Sequence, residues 1–317
     1  MALNSNELKS QARQALEAQQ KAPGRLPLIH AGVSVGASIL LLVLELALLP
    51  VMDQASGLSG MGLRSILSTV PALLDFIIGA LTPFWSISLV FVALAYARKQ
   101  QAQPGHLLKG FRRLGPVLRL MLLEVIILLG VSVGVGWVST FISGFLPVNP
   151  EFEAFITANY DAFLQDPEAV LSAMPTGLLA EAALPTLVLT LVLLFAACIP
   201  ILYRLRLADY AIMDEPNTRA RQALAFSLKA MKGNCISFFK LDLSFWWYYA
   251  LQLGLSAVLY LDILLPALGV ALPFSSHMAN LLCYTLYGAG YLALSWFVTP
   301  QVITTYATAY ETIKDKQ

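Results

Sequence analysis

Six long apolar runs divide the chain, at positions 27–50, 69–97, 116–146, 178–203, 243–266 and 278–303. A hydrocarbon layer about 30 Å thick takes about 20 helical residues to cross, so each run predicts a membrane-spanning helix. The polar stretches between them also carry a helical period. Over residues 5–22, Leu8, Ala12, Ala15 and Leu16 share one face and the charges lie on the other. That pattern predicts an amphipathic helix on a membrane surface, stopped by Pro23 and Gly24. Between the fourth and fifth runs, residues 208–242 hold a second one. Asn217 or Thr218 is placed to cap it, Leu224, Leu228 and Met231 form its apolar stripe, and Gly233 stops it. A third, basic segment precedes the third run, with Lys109, Arg112 and Arg113.

The remaining punctuation fits this frame. The Gly/Ser-rich residues 52–65 read as a loop, Pro71 as the first turn of the second span, and Pro83 and Pro185 as kinks. Residues 150–174 predict a helix whose Phe152, Phe155, Ile156 and Phe163 cover the ends of the spans. Gly32 to Gly36 and Gly130 to Gly134 both read Gly-Val-Ser-Val-Gly, a spacing that lets helices approach closely. Trp246, Trp247, Tyr248 and Tyr249 form an interfacial belt at the start of the fifth span. The fold expected is an all-α polytopic membrane protein. It forms one membrane domain, residues 1–317, with six transmembrane helices in three hairpins, each preceded by a cytoplasmic amphipathic helix.

Two ungapped matches suggest that the hairpins are repeats. Ala12-Arg13-Gln14-Ala15-Leu16 recurs as Ala220-Arg221-Gln222-Ala223-Leu224, each copy ahead of an odd-numbered span. Pro200 is followed ten residues on by Tyr210, and Pro300 by Tyr310; Tyr96 closes the second span in the same way. The units run over about 1–99, 103–210 and 214–317.

Composition agrees with a membrane protein. Hydrophobic residues make up 58% of the 317 and charged ones 12%, against about 25% in soluble domains, and the mean hydropathy is +0.70. The net charge of +1 conceals a strong polarity and offers nothing to nucleic acid. Of the twenty Lys and Arg, all but Arg64 fall at the chain ends or in the second and fourth connections. The positive-inside bias therefore puts both termini in the cytoplasm. Arg13, Arg221, Lys229 and Lys232 are the basic residues expected to face anionic lipid there. The first span is too long, and too far behind a charged segment, to read as a cleaved signal. Cys198, Cys235 and Cys283 have no metal spacing and read as small packing residues.

Several stretches resemble a known family. Asp209-Tyr-Ala-Ile-Met-Asp-Glu-Pro216, Ala223-Leu-Ala-Phe-Ser227, Met231-Lys-Gly-Asn234, Phe238 and Leu243-Ser-Phe245 are similar to the signature of the bacterial integral membrane family called domain of unknown function 975. Residues 7–16 resemble its opening, and Pro300 to Tyr310 its close. The chain departs from it at Trp246, where the family has an Ile-Gly-Trp type turn, and at Gln301, where it has Tyr. The resemblance implies a bacterial inner-membrane protein and implies no activity.

Ionisable residues within spans are costly and so draw attention. Glu45, Asp75 and Glu181 fall near the outer ends of their spans and Glu124 near the inner end of its own; Arg64 is the single basic residue on the outer side. They form either a site for a cationic solute or a proton relay, or a set of interface groups that satisfy one another. Asp209, Asp214, Glu215 and Asp242 are expected to pair with nearby Arg and Lys. His30, His106 and His277 make no metal motif, no Walker A sequence or GxSxG elbow occurs, and neither enzyme activity nor a cofactor is expected. Two functions remain open. One is a transporter or exporter of a small or peptidic solute, suggested by the prolines, the repeat and the outer acids. The other is a non-transporting membrane partner, an assembly, stress-response or regulatory subunit, suggested by the basic surface helices.

Overall fold

A computed structural model describes residues 4–54, 57–145, 149–267 and 276–316, and these are mostly helical, with no strand among them. The helices are α1 (Ser5–Glu17), α2 (Arg25–Gln54), α3 (Gly57–Ala97), a 3-10 turn (Pro104–Leu108), α4 (Lys109–Arg112), α5 (Leu114–Ser143), α6 (Pro150–Ala158), α7 (Tyr160–Gln165), α8 (Pro167–Ala173) and α9 (Thr176–Leu205). They continue as α10 (Ala208–Asp214), α11 (Ala220–Ala230), α12 (Cys235–Leu243), α13 (Trp246–Val258), α14 (Leu261–Ala267), α15 (Ser276–Phe297) and α16 (Thr299–Lys314).

Four stretches are long and apolar enough to cross a membrane: Arg25–Leu48, Ser65–Ala97, Leu114–Ser143 and Ala180–Asp214. A fifth arises if Met278–Phe297 and Thr299–Lys314, bent by 50°, count as one. The fifth apolar run of the sequence does not form one long helix. Ser244 Oγ and backbone NH both bond to Leu241 O, turning the chain before α13. At the far end, the NH groups of Leu259 and Tyr260 tighten onto Ser256 and Ala257, separating α13 from α14.

Other expectations shift as well. Residues 52–65 are helical on both sides of positions 55–56, which lie outside the described residues, so Pro71 sits inside α3 and does not open it. Hydroxyls of Ser68 and Thr69 bond to Ser65 O as the helix passes through this stretch. The segment 150–174 is three short helices. Asn149 caps α6, the Asp166 carboxylate caps α8, and each restarts its helix at a proline.

The chain packs as two compact units. One holds residues 121–205, where Thr190 of α9 donates to Ser139 of α5 at 2.9 Å and Asn149 donates to Glu181 at 3.4 Å. The other holds residues 1–120 and 206–317 and is organised around α16. Alanines and threonines on α16 allow α1 and α3 to pack close against it, and Val302, Thr304, Thr305, Ala307, Ala309 and Ile313 are buried there. The apolar face of α1 (Leu8, Ala12, Ala15) is buried in this packing and is not free to enter lipid. Gly110 is required where α4 crosses α3, because a Cβ there would stand 2.0 Å from Phe84 O. Gly24 likewise lets the start of α2 approach α15, with Trp296 O 2.2 Å from where a Cβ would be.

Candidate functional site

The most fully built polar site lies in the larger unit, where two aspartates bracket the stretch 208–242. Asp214 ends α10. Its side chain is 4% exposed and accepts from three donors: Arg98 at the end of α3 (2.5 Å), the Tyr310 hydroxyl (3.0 Å) and Lys314 (2.7 Å), both on α16. Arg98 also bonds to Glu311 at 2.6 Å, and Lys314 to Glu215 at 3.0 Å. Burial alone would lower the Arg98 pKa, but the hydrogen bonds and charges of Asp214 and Glu311 outweigh it and hold that pKa above its ordinary value.

Asp242, at the end of α12, repeats the arrangement one turn back along α16. It accepts from Arg206 at 2.5 Å and from the Tyr306 hydroxyl, with Tyr249 at 2.6 Å from Tyr306. Arg206 lies over the Tyr306 ring, 4.4 Å from its centroid. Tyr306 and Tyr310 are four residues apart and so share a face of α16. Each presents its hydroxyl to one aspartate that one arginine neutralises. Two Asp-Tyr-Arg constellations thus fasten α10 and α12 to a single helix.

The surrounding backbone is held equally firmly. Arg113, which precedes α5, donates to the carbonyls of Ile212 and Pro216 (2.7 Å for the latter). Leu207 NH donates to Ser227 Oγ at 3.0 Å, drawing α11 onto α10. Lys9 of α1 donates to Ser244 O at 2.8 Å and sits 4.0 Å over the Phe245 ring, where burial and then the charge of Arg13 lower its pKa. Beside Asp214 the α10–α11 turn, α11 and α16 line an open groove of about 440 Å³, bordered by Glu215, Asn217, Thr218, Gln222, Phe226 and Lys314.

The pairing expected of Asp214, Glu215 and Asp242 is present; Asp209 shows no such partner among the described residues. The helix α11 starts differently from expectation. Gln222 accepts from Arg219 NH at 2.9 Å, while Thr218 turns to Glu215 (3.4 Å). Its packed face is Ala220, Ala223, Ser227 and Ala230; of the expected stripe, Met231 is buried, Leu224 half-buried and Leu228 44% exposed. Gly233 stops the helix region at φ +85°.

The acids singled out in the spans are not gathered here. Glu45 on α2, Asp75 on α3 and Glu181 on α9 are exposed, and among the described residues no hydrogen bond or ion pair joins these three. Glu124 on α5 is half-buried and not free. Arg64 falls within α3, but its side chain lies outside the described residues. Arg13, Arg221, Lys229 and Lys232 are exposed. Among the described residues no three His, Cys, Asp or Glu side chains are grouped as metal ligands.

Sequence reasoning did not find Tyr306 or Arg98 as partners of this site. A signal for Tyr310 was present in the Pro-to-Tyr spacing: the two tyrosines it pairs, Tyr210 and Tyr310, stack at 5.5 Å between ring centroids. A family described as "Protein of unknown function (DUF975)" matches residues 1–317, the whole chain. No curated protein and no solved structure matches.

Proposed function

The chain belongs to this family of proteins of unknown function, and we propose that it is a six-span bacterial inner-membrane protein that works at its cytoplasmic end as a non-transporting membrane partner. The observation that carries the reading is the fixed polar end: two Asp-Tyr-Arg constellations hold α10, α12 and α3 to α16 and leave a preformed polar groove beside them. Groups already ordered before binding lose little freedom on docking, which suits a platform for another molecule. The exposed Arg13, Arg221, Lys229 and Lys232 fit the negative surface of a cytoplasmic leaflet.

The six-span reading draws support from the packing of α1 on α16. Contact between the two chain ends fits both lying on one side of the membrane, the arrangement that an even number of crossings would give. Four clear spans plus the bent pair make five, and in this reading α13 with α14 would be the sixth. A photo-crosslinking residue at Asn217, in native membranes, tests the partner reading. A discrete adduct of one mass, lost when Arg98 and Asp214 are both replaced by Ala, is expected; no adduct at Asn217 or at Gln222 sinks it.

Transport is the second reading, favoured by the 50° break between α15 and α16. There Gln252 donates to the Tyr248 hydroxyl at 2.9 Å, and that hydroxyl meets Thr299 at 3.3 Å. Polar groups at a broken helix suit a solute path. Proton flux into proteoliposomes under an imposed potential, lost in Asp75→Asn or Glu181→Gln, is the outcome that would raise this reading above the first.

A further inference from the structure

Helix α12 is built inside out. Its carboxylate faces the protein: Asp242 accepts from Arg206 at 2.5 Å and from the Tyr306 hydroxyl. Phe238 and Leu241 are buried on the same side, with the Phe238 ring stacked on Tyr306 at 6.5 Å between centroids. The other side carries apolar residues outward. Ile236 is 71% exposed, Phe239 54% and Leu243 59%. Positions 236, 239, 240 and 243 are three and four residues apart and share one face of the helix. Trp246, 65% exposed, continues this apolar surface into α13, where Leu251 and Leu253 are exposed as well. A helix seated on a soluble protein shows the reverse polarity, with its apolar stripe inward.

What covers the face follows from what borders it. Asp242 is the sole carboxylate of α12 and is turned inward, so the outer side carries no negative charge. Its cations are Lys240 on the face itself and Lys232 just ahead of the helix, both exposed. A lysine can lay its methylene stem on hydrocarbon and keep its ammonium group among phosphates. Indole rings prefer the same boundary, and Trp246 and Trp247 follow at once. Nine helical residues reach about 14 Å, less than half of the hydrocarbon layer, so α12 does not cross it alone.

We propose that α12 lies in the headgroup boundary of the cytoplasmic leaflet, with Ile236, Phe239 and Leu243 among the acyl chains and Lys232 and Lys240 at lipid phosphates. Lipid then covers the outer side of the helix that carries Asp242. The proposal takes its leaflet from the topology above, and it needs neither the partner reading nor a count of six crossings.

Spin labels test it on the full chain, with Cys198, Cys235 and Cys283 replaced by Ser, in nanodiscs of phosphatidylethanolamine and phosphatidylglycerol. Nitroxides are attached in Ile236→Cys, Leu243→Cys and, as a water-exposed reference, Asn217→Cys. Oxygen partitions into acyl chains and a nickel chelate stays in water. The oxygen-to-nickel collision ratio should be severalfold higher at 236 and 243 than at 217. A ratio equal to that at 217 puts the face in water and overturns the proposal. Slow collision with both reagents means that protein covers the face, in this purified sample a second copy, and overturns it too. Ile236→Glu in the chain with its own cysteines is an independent check, because a carboxylate is costly in hydrocarbon and harmless in water. Its melting temperature in nanodiscs should fall below that of Asn217→Glu; equal values count against lipid contact. Absence of the crosslinked adduct at Asn217 would sink the partner reading and leave this one standing.

Discussion

Asp214 faces two cations and a phenol from a nearly closed position, so removing its charge costs more than removing any one donor. Breaking a buried ion pair costs about 3–5 kcal/mol, and the partial exposure of Arg98 and Lys314, 32% and 34%, lowers the expectation for Asp214→Asn to about 2 kcal/mol. Tyr310→Phe deletes one hydrogen bond and should cost about 1 kcal/mol. Thermal unfolding followed by tryptophan fluorescence would compare them; equal losses would mean that the aspartate is not the centre of the network. His106 makes a different case. Its Nδ1 accepts from Gln103 NH at 3.3 Å, which requires the neutral ring, and burial followed by the charge of Lys109 lowers its pKa. A depressed histidine pKa means that the folded state binds fewer protons than the unfolded one. The contribution is therefore complete above the unfolded value of about 6.5 and is lost as pH falls below it. Amide protection factors at residues 105–109, corrected for the intrinsic pH dependence of exchange, should fall on acidification below that value, and His106→Gln should remove the dependence.

Element by element, the sequence was most legible where hydrophobicity alone decides, and least where two packing solutions compete. The four long spans follow from uninterrupted apolar length, and α1 from its Leu8, Ala12, Ala15 face. For α11 the Leu224, Leu228, Met231 stripe and the Ala220, Ala223, Ser227, Ala230 stripe both have helical spacing; Met231 of the first is buried with the second, while Leu228 is left exposed. The choice between them lies in α10, whose Leu207 NH comes within bonding distance of Ser227. No local pattern encodes that approach. The same holds for the fifth run, where Ser244 and Ser256 look innocuous in an apolar sequence yet turn the chain or lie at its break. The small-face reading has a direct test. Ala223→Leu overfills the contact and should cost about 1–3 kcal/mol, whereas Leu228→Ser should stay within about 0.5 kcal/mol. Chemical denaturation of both variants in the same detergent would reverse that order if the leucine stripe were the packed one. At α4, Gly110→Ala forces α3 and α4 apart, while Gly105→Ala, with nothing within 4 Å, should be silent in the same assay.

Across the whole molecule the proposed repeat and the proposed topology meet at one place. The two Ala-Arg-Gln-Ala-Leu copies bury the same positions, Ala12 and Ala15 in one and Ala220 and Ala223 in the other, with both arginines exposed. The three stretches that follow Tyr96, Tyr210 and Tyr310 converge as well: Arg98, Asp214 and the pair Glu311 and Lys314 form one ionic cluster. If each unit leaves and returns to the same side, its closing segment must come back to that cluster, and three closures give six crossings. Fewer crossings remain compatible with α1 packed on α16 only if α13, α14 and α15 all stay on the near side, which leaves four. Reporter cysteines separate these cases once Cys198, Cys235 and Cys283 are replaced. With six spans, an impermeant maleimide added outside spheroplasts should label cysteines at Thr157 and Ala271, and those at Asn217 and Asp315 only after lysis. With four, Ala271 becomes protected along with Asn217, and both the third hairpin and the threefold repeat fall together.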